Sequence, residues 1–158
     1  MAKSSKQVVL ITGGAMGQGR THAVAFAKAG FDVVLIDMLE PENEICKETI
    51  ALVRDAGGEV LALQANICST PEVEAAFAQA WEKFGRLDVV VANAGIINFG
   101  YTWELSDEQV ERALAVNLEG TWRTDKYAAI YMRKQGYGRI INISSVSGLK
   151  GTAQLATY

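Results

Sequence analysis

Val8-Val9-Leu10-Ile11-Thr12-Gly13-Gly14-Ala15-Met16-Gly17-Gln18-Gly19-Arg20 carries an apolar, mostly β-branched run into a cluster of four glycines. The segment His22-Ala23-Val24-Ala25-Phe26-Ala27-Lys28-Ala29 then continues with helical character. A strand, a glycine turn and a helix in that order are how α/β proteins hold a nucleotide's diphosphate. Glycine lets the backbone approach phosphate with no side chain between, and the free N–H groups of the helix's first turn supply donors and partial positive charge.

The 158 residues predict a single domain large enough to bury a core. With 49% hydrophobic and 21% charged residues, the composition is that of a globular chain. A net charge of −3 gives no reason to expect nucleic acid or an anionic membrane as partner. Apolar runs such as Val8–Ile11 are far too short to span a bilayer, and Met1–Lys6 has no apolar signal core behind it. Cys46 and Cys68 are widely spaced and in no metal-ligand pattern. Reduced, partly buried thiols in a cytoplasmic protein without a metal site are expected.

Outward from the glycine stretch, short β-branched runs alternate with longer segments of helical period. The strand candidates are Gln7–Thr12, Asp32–Asp37, Glu59–Ala65, Leu87–Asn93 and Arg139–Ser144; the helix candidates are Gly17–Ala29, Pro41–Ala56, Pro71–Phe84 and Asp107–Gln135. Gly30, Gly57, Gly85 and Gly136 each come just after a helix pattern, where a left-handed residue is wanted. Thr70-Pro71 reads as an N-cap with proline at the first helical position, and Ser106-Asp107-Glu108-Gln109 as a capping box. Val73, Ala76, Phe77, Ala80, Trp81 and Phe84 form one helical stripe, which predicts core packing. Runs such as Val33-Val34-Leu35-Ile36 and Val89-Val90-Val91-Ala92 are apolar on both faces, as a parallel sheet covered by helices on both sides requires. The alternation therefore predicts an α/β, doubly wound parallel sheet.

Asp37 ends the second strand run, 24 residues after Gly13. A carboxylate there lies beside the carboxyl end of the first strand, where it can accept hydrogen bonds from ribose hydroxyls and repel a 2′-phosphate. It predicts NAD rather than NADP, and the next residues, Met38-Leu39, supply no arginine to reverse that.

The glycine spacing, Gly13-x-x-x-Gly17-x-Gly19, differs from G-x-G-x-x-G. With Asn93-Ala94-Gly95, Asn117 and Ser144-Ser145, it makes the chain resemble the short-chain dehydrogenase/reductase family from Gln7 to Tyr158. The resemblance implies a Rossmann fold, of which five strands lie in this chain, and a single NAD-binding domain over residues 1–158. It implies that Gly13, Gly17 and Gly19 shape the diphosphate turn, with Met16 near the nicotinamide, and that Asp37 holds the ribose. Asn66 and Ile67 fall where the family has aspartate and an aliphatic residue against the adenine; the amide keeps an acceptor oxygen and loses the charge. Asn93, Ala94 and Gly95 would line the cofactor cleft, and Asn117 would sit at a break in its helix and hold a water of a proton relay.

The family's catalytic serine precedes its tyrosine by thirteen residues, which selects Ser145 as partner of Tyr158. The implied reaction interconverts a secondary alcohol and a ketone: Ser145 steadies the oxygen while Tyr158 gives or takes the proton. In the family a lysine four residues on lowers the phenol's pKa. That lysine, the helix it stands on and the last strands lie outside these 158 residues, so a piece of a longer enzyme is expected, inactive if the chain truly ended at Tyr158. The competing reading is a nucleotide-binding or regulatory remnant that does not turn over. The resemblance also implies a homo-oligomer, dimer or tetramer, paired through the long helix Asp107–Gln135. His22 is expected to be a packing or surface residue, and Trp122 and Tyr127 to be core or interface residues. Phe99, Tyr101 and Trp103 fall at the mouth of the cleft, where substrate contact and plain loop packing both stay open.

Overall fold

A computed structural model describes residues 4–158. Its elements are β1 (Val8–Thr12), α1 (Gly17–Lys28), β2 (Asp32–Asp37), α2 (Glu44–Asp55), β3 (Val60–Gln64), α3 (Thr70–Phe84), β4 (Val89–Ala92), α4 (Asp107–Leu114), a π-helical segment (Ala115–Gly120), α5 (Thr121–Gln135), β5 (Arg139–Asn142) and a 3-10 turn (Val146–Gly148). The strands form one parallel sheet in the order β3-β2-β1-β4-β5. Because β1 has β2 on one side and β4 on the other, the chain reverses its winding at β1. In sheets of this kind a crevice opens at that switch point, beyond the strands' carboxyl ends.

Both faces of the sheet are covered, as the doubly apolar strands require. Val8, Leu10, Val34, Ile36 and Val90 pack with Val73, Phe77 and Phe84 of α3 and Tyr127 and Met132 of α5. The alternate residues Val9, Ile11, Val33, Leu35 and Val91 pack with Ala23 and Ala27 of α1 and Val53 of α2. The period-2 alternation of side chains thus feeds two cores from the same strands. β5 differs: all four residues are exposed, and Ile140 and Ile141 lie open at the sheet's edge.

The starts of α2 and α3 depart from the sequence expectation. α2 starts at Glu44 rather than Pro41, because the Asn43 side chain accepts the Ile45 N–H and fixes the start there. α3 is preceded by Ser69, so Thr70 is its first residue rather than its cap, and no side chain caps it. The capping box at Ser106 and Gln109 is present. Gly30, Gly57, Gly85 and Gly136 all have positive φ.

The helix expected over Asp107–Gln135, with a break at Asn117, is three segments. Between α4 and α5 the backbone widens into the π turn, which contains Asn117. A π turn inserts one extra residue into the helix, so the side chains of α5 are rotated about the axis relative to those of α4.

Candidate functional site

At Gly13 and Gly19 the glycine turn is held by contacts that leave no room for a Cβ. Gly13 has φ +63°, and a side chain there would lie 2.9 Å from the Ala94 Cα. A Cβ on Gly19 would lie 2.0 Å from the Gly13 carbonyl oxygen and 2.9 Å from Asn93 Nδ2. The start of α1 is therefore seated on the turn, and the turn on the loop after β4. Gly17, at φ +57°, faces open space. No side chain caps α1 and no acidic residue stands in its first turn, so its early N–H groups are left for an anion.

Thr12 and Asn93 join the carboxyl ends of β1 and β4. The buried Thr12 hydroxyl accepts from Asn93 N and Ala94 N, both at 3.1 Å. Asn93 Nδ2 donates to the Thr12 carbonyl at 2.9 Å and to the Gly13 carbonyl at 3.2 Å. Asp37 accepts from Ala15 N (3.0 Å) through Oδ2 and from Leu39 N (3.2 Å) through Oδ1. Each carboxylate oxygen has a second lone-pair direction, so the group can tie down the turn and still accept two hydroxyls.

At the end of β3, Asn66 Oδ1 accepts from Cys68 N at 2.9 Å, while Asn66 N donates to Glu72 Oε2 at 2.9 Å. That N–H, with the Ser69 hydroxyl, holds the Glu72 carboxyl below the usual carboxylate range. The amide oxygen of Asn66 is thus partly committed to its own loop. Behind Asp37, burial first, and then the Asp37 and Glu42 charges, push the Cys46 thiol up, which keeps it protonated near neutral pH.

Asn117 pairs at two points with the backbone of Ile96, Oδ1 accepting from Ile96 N (2.9 Å) and Nδ2 donating to Ile96 O (2.8 Å). Its own carbonyl accepts the Thr121 hydroxyl at 2.9 Å. The π turn therefore anchors the loop that extends from Asn93-Ala94-Gly95. Ser145 precedes the 3-10 turn and its Oγ accepts from Ser147 N at 3.2 Å. Tyr158 is half-exposed, and the segment before it is fastened to the loop after β4 by Gly100 N donating to the Gln154 carbonyl at 3.0 Å.

A cleft of about 1120 Å³ unites these parts. Gly13, Met16, Asp37, Asn66, Ile67, Asn93, Ala94, Gly95, Asn117, Ser145 and Tyr158 all line it. Gly17 and Gly19 do not; Gly19 acts from behind, as a packing contact of the turn. Sequence reading passed over Gln18, Cys68, Ile96 and Arg112 in the wall. It also passed over the bracing role of Thr12, which only the fold reveals, because Asn93 is 81 residues away. Phe99, Tyr101 and Trp103 are outside the lining; Tyr101 and Trp103 stack on each other at 4.9 Å, with Trp103 80% exposed. Tyr127 is buried in the core and Trp122 is exposed. His22 is half-buried on α1. Among the described residues no helix is long and apolar enough to cross a membrane, and no three His, Cys, Asp or Glu side chains form a group that could hold a metal ion.

The donor set suits a dinucleotide: an uncapped helix start and a close-packed glycine turn for the diphosphate, with a carboxylate for ribose hydroxyls beside them. Comparison with known proteins agrees. The sequence profile described as short chain dehydrogenase matches residues 7–158. An uncharacterised NAD-dependent oxidoreductase of Mycobacterium tuberculosis is 41% identical over 157 residues, covering 92% of this chain and 57% of that protein. A (-)-trans-carveol dehydrogenase of Rhodococcus erythropolis is 35% identical, with 100% of this chain and 61% of that protein covered. The crystal structure of carveol dehydrogenase from Mycobacterium avium in complex with NAD superposes with a TM-score of 0.90 at 32% identity, over 98% of this chain and 60% of that one. The chain thus spans about three-fifths of the length of these relatives. On the match over residues 7–158, and the fold and site that accompany it, the chain belongs to the short-chain dehydrogenase family.

Proposed function

We propose that the cleft binds NAD and that the intact protein is an oxidoreductase interconverting a secondary alcohol and a ketone. The observation that carries this is the meeting, in one cleft at the strands' carboxyl ends, of the glycine turn, Asp37, Ser145 and Tyr158. Two of the three relatives are described as NAD-dependent or NAD-complexed, and two are carveol dehydrogenases. Gly13, Gly17 and Gly19 shape the turn that holds the diphosphate, with Met16 near the nicotinamide; Asp37 holds the adenosine ribose, and Asn66 and Ile67 the adenine. Bound NAD supplies the hydride acceptor, or the donor when reduced. Ser145 Oγ donates a hydrogen bond to the substrate oxygen, and the Tyr158 hydroxyl gives or takes its proton. Asn117 keeps the intervening loop in place and holds a water of the relay. The test is NADH formation by the intact protein against a panel of secondary alcohols; a protein that binds NAD and reduces it with none of them is the non-catalytic nucleotide-binding alternative.

Asp37 is expected to set the choice of dinucleotide. A carboxylate about 4 Å from a 2′-phosphate is repelled by a few kcal/mol at an effective dielectric near 20. Asp37→Ser should weaken NAD, because the Ala15 N–H also loses its acceptor. It should lower the preference for NAD over NADP by at least about tenfold, roughly 1.4 kcal/mol. Calorimetric titration with both dinucleotides checks this, and an unchanged ratio would remove Asp37 from the ribose site.

Pairing of subunits is proposed through the exposed Leu114 of α4, Leu118 of the π turn, and Trp122 and Ile130 of α5. Sedimentation of the intact protein should give a dimer or tetramer that Trp122→Glu weakens; a monomer would refute the interface.

A further inference from the structure

Arg20 closes the glycine stretch without a role in the cofactor reading, and its side chain turns away from the cleft toward α2. Every nitrogen of the guanidinium is engaged there. Nε donates to Thr49 Oγ1 at 2.7 Å, NH1 pairs with Glu48 Oε2 at 2.8 Å, and NH2 reaches the carbonyls of Ile45 (3.1 Å) and Ala15 (3.4 Å). Thr49 is fully buried. Its hydroxyl accepts from Arg20, which leaves its single proton to donate, and the nearer carbonyl is that of Ala15 rather than that of Ile45 at 3.4 Å. Ala15 itself is completely buried in the middle of the glycine turn. Two helices therefore converge on one carbonyl.

Peptide geometry passes this clamp on to the next residue. In a trans peptide the carbonyl and the next N–H point in opposite directions. Drawing the Ala15 carbonyl toward Thr49 and Arg20 fixes the Met16 N–H pointing away from α2, and Met16 is a residue of the cleft wall. The preceding peptide is fixed as well, because Ala15 N donates to Asp37 Oδ2. Two successive peptides of the turn are thus locked, one by Asp37 and one by the Arg20–Thr49 pair.

We infer that Arg20 and Thr49 are positioning residues for the dinucleotide: by clamping the Ala15 carbonyl they aim the Met16 amide and, through Ala15, the Asp37 carboxylate. This rests on the reading of the cleft as an NAD site. Neither residue touches the cofactor. Pre-orienting donors in this way removes a rearrangement that binding would otherwise have to supply.

The test compares NAD and NADP dissociation constants, by calorimetry, for the intact protein and three variants, with the melting temperature of each unliganded form. Thr49→Val keeps the shape and deletes the hydroxyl; Arg20→Met keeps the apolar stem and deletes the fork. Each should raise the NAD dissociation constant about tenfold, the scale of one lost hydrogen bond, and reduce the discrimination against NADP. Thr49→Ser should return both values to within about twofold of the parent. A purely packing role would lower the melting temperature but leave the NADP-to-NAD ratio unchanged, and that result overturns the inference. Should Thr49→Val fail to fold, Arg20→Met, on a side chain that is partly exposed, decides the matter. If the parent protein binds neither dinucleotide, the cofactor reading falls and this assignment with it. If the parent binds NAD and both variants keep its affinity, only the assignment falls.

Discussion

Gly19→Ala is expected to abolish NAD binding and to destabilise the intact protein by about 3 kcal/mol, near the upper end of overpacking penalties, which for a chain of this size lowers the melting temperature by roughly 10 °C. The reason is geometric. The added methyl would sit 2.0 Å from the Gly13 carbonyl oxygen, and the second obstacle, Asn93 Nδ2 at 2.9 Å, is itself bonded to the carbonyls of Thr12 and Gly13. Neither neighbour is the loose end of a flexible side chain, so α1 must lift off the turn or the turn must leave β4. Either movement takes the helix start away from the backbone proposed to hold the diphosphate. Gly17→Ala is the control. Its Cβ meets nothing within 4 Å, so only the left-handed backbone opposes it, at a cost of about 1–2 kcal/mol. Calorimetric NAD titration and thermal melts of both variants separate the effects. A Gly19→Ala protein that melts with the parent and still binds NAD would show that the turn is not seated as described.

The contrast between those two glycines marks what the sequence can and cannot disclose. Both stand in the same motif, and spacing alone treats them alike. One is required by its own backbone angle, the other by a carbonyl six residues earlier, and only the second kind depends on how helix and turn pack. The strands were legible because Val8–Ile11, Val33–Ile36 and Val89–Ala92 are β-branched runs with no competing period. α2 began three residues later than expected because Asn43, not Pro41, satisfies the first free N–H groups. The long helix kept its 3.6-residue pattern on both sides of Asn117, so its apolar spacing did not announce a π turn. That turn arises from a tertiary demand, since Asn117 must reach both backbone groups of Ile96.

The bracing residues were the least legible. Thr12, Arg20 and Thr49 are ordinary residue types with no motif of their own, and their partners lie 81, 29 and 34 residues away in sequence. Asp37 could be assigned to the ribose from sequence because a strand-end carboxylate beside a glycine turn can accept hydroxyls there. That it also holds the Ala15 N–H was not legible. On the proposed reading this one carboxylate serves two purposes, which is why its removal should weaken NAD as well as change the preference between dinucleotides.

Tyr158→Phe should lower turnover by about 10²–10⁴-fold, the usual contribution of a positioned acid or base, and leave the NAD dissociation constant within about twofold of the parent. The substitution removes one oxygen from a half-exposed side chain, so little of the fold depends on it. It also spares the backbone link by which Gly100 N holds the Gln154 carbonyl, and with it the segment that carries the tyrosine. Ser145→Ala is the less clean experiment. Ser145 Oγ also accepts the Ser147 N–H at the start of the 3-10 turn, and losing such a cap costs about 1 kcal/mol locally. A fall in turnover there would mix the loss of a hydrogen bond to the substrate oxygen with a displaced turn. For Tyr158→Phe the two can be told apart by measuring kcat and the NAD dissociation constant on the same preparation. A proton donor and acceptor predicts a collapse of kcat with cofactor binding intact. If instead NADH formation continued at the parental rate, the proton would have to travel by another group in the cleft, and Tyr158 would be wall rather than chemistry.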